Sequence, residues 1–288
     1  MKRRGFLKSS LIVGGATVAP LSLAAGAAGA GVCDTSLDGF EGLEKLGRIQ
    51  PKSASQVKSS YWGIQAGAFD DDTLEKARAI GVKWSRINIH WDRVEKEKGV
   101  FDWAPYDESL DALLRYDIVP FVSLTGGNGM YTGTGTYDDP KLAAIYGDSP
   151  LPPLDEKGKA GWLDFITTAV NRYKDRIRHW EVWNEPNHRN YWGAPPDGHA
   201  YGELVRYTVD LILDLHPGAK IIAGSMAGIS ADFTDRFLSR CDPRKIDVIS
   251  FHNYGNRPEN RVYAIEDFKK VLDRYNPDFE IWQGECGI

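Results

Sequence analysis

The chain has 288 residues, of which 42% are hydrophobic and 26% charged, and a formal net charge of −5. The charges are mixed in sign and form no basic stripe, which argues against a nucleic-acid partner. Nine Trp and thirteen Tyr are many for this length; they suit a core, and equally platforms that stack on sugar rings.

The chain opens as a targeting segment. Lys2-Arg3-Arg4-Gly5-Phe6-Leu7-Lys8 precedes an apolar stretch from Leu11 to about Leu23, and Ala28-Gly29-Ala30 forms an A-x-A cleavage pattern. Arg3-Arg4 with Phe6-Leu7 resembles the bacterial twin-arginine export signal; an ordinary secretory signal holding two arginines is the alternative. Residues 1–30 are therefore expected to be an export signal, and the mature protein periplasmic or secreted. The apolar stretch is short and rich in Gly and Ala, so no membrane anchor is expected in the mature form. Residues 31–59 are polar and read as an N-terminal arm, with Leu37, Phe40, Leu43 and Leu46 spaced for a helical turn or two.

From Ser60 onward, short apolar runs alternate with amphipathic stretches. Strands are expected at Tyr61–Gln65, Val82–Ile89, Ile118–Leu124, Ile177–Asn184, Lys220–Ser225, Ile246–Phe251 and Phe279–Gln283. Helices are expected between them, at Asp72–Ile80, Pro105–Tyr116, Lys159–Tyr173, His199–Leu215, Asp232–Arg240 and Val262–Tyr275. Asp70 to Asp72 are cap candidates for the first helix and Gly81 its stop. The stretch from Gly126 to about Asp155 reads as a long loop.

Strict alternation of strand and helix means parallel strands with right-handed crossovers. A doubly wound sheet would want a Gly-rich phosphate loop leading into a helix; Gly126-Gly127-Asn128-Gly129 fits that poorly. Polar residues instead collect at the ends of nearly every strand, as in a (β/α)8 TIM barrel. The expected domain is a barrel over residues 60–288, apparently truncated after the seventh strand. An open seven-stranded barrel would leave two strand edges unpaired.

Two strand ends carry carboxylates. Trp180-Glu181-Val182-Trp183-Asn184-Glu185-Pro186 ends one strand, and Phe279-Glu280-Ile281-Trp282-Gln283-Gly284-Glu285 ends another. A pair of carboxylates flanking a glycosidic bond can hydrolyse it, one as acid and the other as nucleophile or base. The acid needs an apolar, partly dry site, which Trp183 and Pro186 suit at Glu185. The nucleophile needs donors, which Arg86 or Tyr254 can supply to Glu285. Strand alternation puts Arg86, Asn88 and His90 on one face, and Ser250, His252 and Tyr254 on one face. It also puts Gln283 with Glu285 and turns Cys286 toward the helix layer. Asn184 and Glu185 are adjacent, so a bulge or the strand end must re-aim one if both face inward.

Here Asn184-Glu185-Pro186 after a fourth strand, with Glu285 after a seventh, resembles the clan A retaining glycoside hydrolases. The segment Trp91-Asp92-Arg93-Val94-Glu95 through Gly99-Val100-Phe101-Asp102-Trp103 looks like families 39 and 5 of that clan. The resemblance implies Glu185 as acid/base, Glu285 as nucleophile and Asn184 as partner of the sugar 2-hydroxyl. It implies that Arg86 and Tyr254 support the nucleophile and that His252 lines the catalytic subsite. His90 and Trp91 are substrate-binding candidates, with packing as their alternative; Arg86 has Glu181 available as a structural partner. Trp62, Tyr131, Tyr146 and Trp192 are weaker platform candidates. A carbohydrate is the expected partner. A non-catalytic carbohydrate-binding barrel and a transglycosylase are the competing readings. Cys33, Cys241 and Cys286 form no disulfide framework. With no His/Cys cluster at ligand spacing, no metal or cofactor is expected.

Overall fold

A computed structural model describes residues 60–65, 69–135, 140–146, 149–254 and 262–286. The expected export signal, the expected arm and Cys33 lie outside the described residues, as does the side chain of Tyr146. The strands are β1 (Gly63–Ile64), β2 (Trp84–His90), β3 (Glu95–Glu97), β4 (Val100–Phe101), β5 (Val119–Thr125), β6 (His179–Val182), β7 (Lys220–Ala227), β8 (Val248–His252) and β9 (Glu280–Glu285). Seven of them form one sheet in the order β1-β2-β5-β6-β7-β8-β9, every neighbouring pair parallel. A helix links each successive pair, at Asp71–Ala79, Ala104–Arg115, Glu156–Tyr173, Gly198–Leu215, Ala231–Leu238 and Val262–Tyr275.

Local chemistry starts these helices. Asp70 accepts from the Thr73 amide, Asp155 from Gly158, Asp197 from His199 and Ser230 from Phe233, each filling an orphan donor of a first turn. Periodicity then orients them: Tyr201, Leu204, Val205, Thr208, Val209 and Ile212 recur at three- and four-residue steps and are all buried.

The sheet is rolled. Five strand-to-strand steps separate β2 from β9, about 24 Å in a flat sheet. Yet the Trp84 and Trp282 rings from those strands lie 5.3 Å apart, and His179 of β6 stands 5.0 Å from Trp84. Phe121 of β5 packs on Trp282 as well. These rings fill the interior at the N-terminal end of the strands, beneath the polar layer described below.

His179 is held neutral in that apolar layer, its pKa lowered from 6.5 to about 4, chiefly by burial. A folded pKa below the unfolded one means stability that is whole above the unfolded value and is lost as pH falls through the folded value. Thermal stability should therefore decline between pH 6.5 and about 4. His179→Phe should flatten that decline in melting curves taken across the window; an unchanged slope would assign it to other groups.

Two features differ from the sequence reading. The stretch after β2 turns at once into a short helix, Trp91–Val94, and then a small antiparallel hairpin of β3 and β4. Its sequence is too charged and too short to show alternation. It is held by buried Glu95, whose carboxylate accepts from Trp91 Nε1 (2.6 Å), the Gly99 amide (2.7 Å) and the Tyr131 hydroxyl. The expected long loop contains helices at Gly129–Thr132 and Pro140–Tyr146.

Candidate active site

The C-terminal ends of β2, β6, β7, β8 and β9 carry one connected polar cluster. Arg86 is its centre, 2% exposed on the inner face of β2. Its Nε donates to Glu181 at 2.6 Å and its Nη1 to Glu285. Its Nη2 donates to Asn184 Oδ1 and to Ser225 Oγ, both at 2.9 Å. Each guanidinium nitrogen is thus engaged, and residues from three other strand ends, β6, β7 and β9, are tied to one planar group. Arg86 serves both alternatives the sequence left open, as partner of buried Glu181 and as donor to Glu285. Glu181 also accepts from Ser250 Oγ at 2.7 Å.

Glu285 accepts from Arg86 on one oxygen and from the Tyr254 hydroxyl on the other, at 2.7 Å. The Tyr254 phenol is pushed up to about 12, first by that hydrogen bond to Glu285, so it remains a donor at neutral pH. Glu185, 8% exposed, lies 3.0 Å from His252 Nδ1 through Oε1. The same nitrogen is 3.8 Å from Glu285 Oε2. One atom of each of Glu185, His252 and Glu285 lies within 4.8 Å of the others. That spacing would also suit a divalent cation, but Arg86, Tyr254 and His252 already face those carboxylate oxygens.

Backbone irregularities put these side chains in place. β6 ends at Val182, and Trp183 and Glu185 then take positive φ, 70° and 47°. This left-handed backbone is costly for residues with a Cβ and marks a shape imposed by the surroundings. It lets adjacent Asn184 and Glu185 both reach the cluster, while Trp183 packs on Trp162 and Trp192. The Glu185 amide donates to Ser225 O at 2.8 Å, and the Asn187 side chain brackets Ala227 through both its amide atoms. The β6 end is thereby pinned to β7.

Bulges re-aim two more side chains. In β7 the register to β8 shifts between Ala223 and Met226. Gly224 there has φ +98°, and a Cβ would stand 2.6 Å from Ser250 O, so only glycine fits. The shift turns Ser225 inward. In β9 the register shifts at Gly284, pairing Glu285 with His252. Glu285 therefore shares the inner face with Trp282, not with Gln283, whose amide donates instead to Asn253 O. Cys286 is exposed rather than covered by helices.

The remaining candidates separate cleanly. His90 is half-buried at the top of β2 on the same face as Arg86, its pKa lowered chiefly by burial. Asn88, one step below, has a buried Oδ1 without a hydrogen-bond partner among the described residues. Trp91 is not a binding residue: it is wholly buried in the helix layer, stacked on Tyr131 and Phe165. The reason is that the strand gives way to a helical turn at that residue, which changes its direction. Trp192 is buried against Trp183 and Tyr201, and Tyr131 is tied to Glu95, so both are packing residues. Trp62 is exposed but precedes β1, at the end of the strands away from the cluster. Sequence reasoning missed Ser225, Gly224, Gly284 and Asn187; a Gly-Ser inside an apolar strand was the available signal for the first two.

No protein-family model matches the chain. A beta-xylosidase of Geobacillus stearothermophilus is 24% identical over 193 residues, 64% of this chain and 35% of that protein. The crystal structure of the GH39 enzyme from Xanthomonas axonopodis pv. citri superposes with TM-score 0.60 at 21% identity, over 78% of this chain and 50% of that one. A family 5 mannosidase from Rhizomucor miehei superposes with TM-score 0.55 at 16% identity, over 79% of this chain and 68% of that one. The chain spans about a third of the length of the curated relatives it matches. Its fold is that of the (β/α)8 glycoside hydrolases, and it is similar to clan A members of the family 39 and family 5 type.

Proposed function

We propose that the chain carries the active site of a retaining glycoside hydrolase that cleaves O-glycosidic bonds of an oligosaccharide or polysaccharide. The observation that carries this is the proximity of two carboxylates, with an oxygen of Glu185 and one of Glu285 within 4.8 Å. Retaining enzymes hold the pair about 5–5.5 Å apart, whereas inverting ones need about 6.5–9.5 Å to admit a water.

In this reading Glu285 attacks the anomeric carbon while Glu185 gives its proton to the departing oxygen. A glycosyl ester on Glu285 results. Water, losing a proton to Glu185, then attacks the same carbon and frees the Glu285 carboxylate. Arg86 and Tyr254 each donate to one oxygen of Glu285 and so hold it aimed. Arg86 also binds Asn184 Oδ1, which leaves the Asn184 amino group to donate to a sugar hydroxyl. The export pattern of residues 1–30 would place the reaction in the periplasm or outside the cell.

The test is stereochemical. With aryl glycosides as substrates, the first sugar released should keep its anomeric configuration, read by proton NMR before mutarotation. An inverted product would overturn the reading. Sugar binding without turnover would favour the carbohydrate-binding barrel, and glycoside products that persist with added acceptor would favour transglycosylation.

A further inference from the structure

We propose that Ser225 fixes which nitrogen of His252 carries the proton, and through it which oxygen of Glu185 is free to act as acid. The consequence for turnover rests on the glycosidase reading above; the proton position on His252 does not.

Arg86 Nη2 can only donate, and it donates to Ser225 Oγ at 2.9 Å. Ser225 is wholly buried, so its own hydroxyl proton must go to a protein acceptor. The other partner of that hydroxyl among the described residues is His252 Nε2, at 3.1 Å. Nε2 is therefore the acceptor, and the ring proton of the neutral imidazole sits on Nδ1. That nitrogen faces Glu185 Oε1 at 3.0 Å. The imidazole thus donates to Oε1, and the acid proton of Glu185 is left to Oε2. Once Glu185 has given that proton away, the same donor steadies the carboxylate that remains.

The backbone keeps this chain of donors intact. The Gly224 bulge turns Ser225 inward, and the Ser225 amide is held by Ser250 Oγ at 2.9 Å. On the other side of the ring a Cβ at Gly284 would stand 3.2 Å from His252 Nε2, so the bare glycine keeps that nitrogen clear for Ser225. Ser225 touches neither carboxylate; it is a positioning residue.

The chain has six histidines, so side-chain nitrogen shifts of histidine-labelled protein at neutral pH can be read one by one, with His252 assigned as the signal lost in His252→Gln. The expected result is a proton on Nδ1 and a bare Nε2. In Ser225→Ala the proton should redistribute toward Nε2, and Ser225→Thr should restore the original state. A proton on Nε2 in the unaltered protein, or no change in folded Ser225→Ala, would overturn the proposal. Should Ser225→Ala fail to fold, the state of the unaltered protein still decides. In turnover, Ser225→Ala should slow glycosides with poor leaving groups about tenfold and dinitrophenyl glycosides about twofold or less, since only the former need the acid. Equal slowing of both would mean that Ser225 acts through Arg86 on Glu285 instead, against the proposal. Absence of turnover in the unaltered chain would count against the glycosidase reading alone, and the nitrogen shifts would still judge Ser225.

Discussion

Glu285→Ala is expected to lower kcat for aryl glycosides about 10⁴-fold, close to abolishing turnover. In the proposed mechanism nothing else in the cluster can replace the attacking oxygen: Glu181 is wholly buried and engaged by Arg86 and Ser250, and Glu185 is assigned the proton. The variant leaves a small gap beside Arg86 and Tyr254, two donors that face the missing carboxylate. A small anion such as azide or formate should enter it and recover part of the rate, now with an inverted product. Glu285→Gln should be as inactive but better folded, because an amide keeps the shape and the acceptor for Arg86. Residual activity within about tenfold of the parent would remove Glu285 from the reaction.

Arg86→Ala is expected to be the most destabilising single change at the site, by roughly 3–5 kcal/mol in chemical denaturation. The physical reason is Glu181, whose side chain is 0% exposed and would be left as a buried charge without its cation. Arg86→Lys should recover little, because one ammonium cannot reach partners on three strand ends in the fixed fork of a guanidinium. Arg86→Met with Glu181→Leu removes both charges and should recover most of the stability. It should not recover turnover, since Glu285 and Asn184 would lose the group that aims them. A loss below about 1 kcal/mol for the alanine variant would mean that Glu181 is not held by Arg86.

Much of this was legible in the residue order. The seven strands and six helices of the barrel fall where apolar runs and amphipathic stretches alternate, because burial on one face imposes a period of two or of 3.6. The placement of Glu185 and Glu285 at the same end of the sheet follows from parallel strands, each of which ends at the same rim. The facing of Arg86, His252 and Tyr254 also follows from simple alternation.

Alternation fails wherever the backbone leaves the regular strand, and there the tertiary structure alone decides. The pairing of Glu285 with Trp282 rather than Gln283 depends on the bulge at Gly284. The inward turn of Ser225 depends on Gly224, and the joint use of Asn184 and Glu185 depends on positive φ at Trp183 and Glu185. Trp91, next to His90 in the chain, points into the helix layer because the chain starts a helix there. Local order thus determined which segments pair and which chemistry they carry, through burial periods a few residues long. The aim of each reacting group was decided by single extra residues and left-handed turns, whose cost is met only by neighbours distant in the chain.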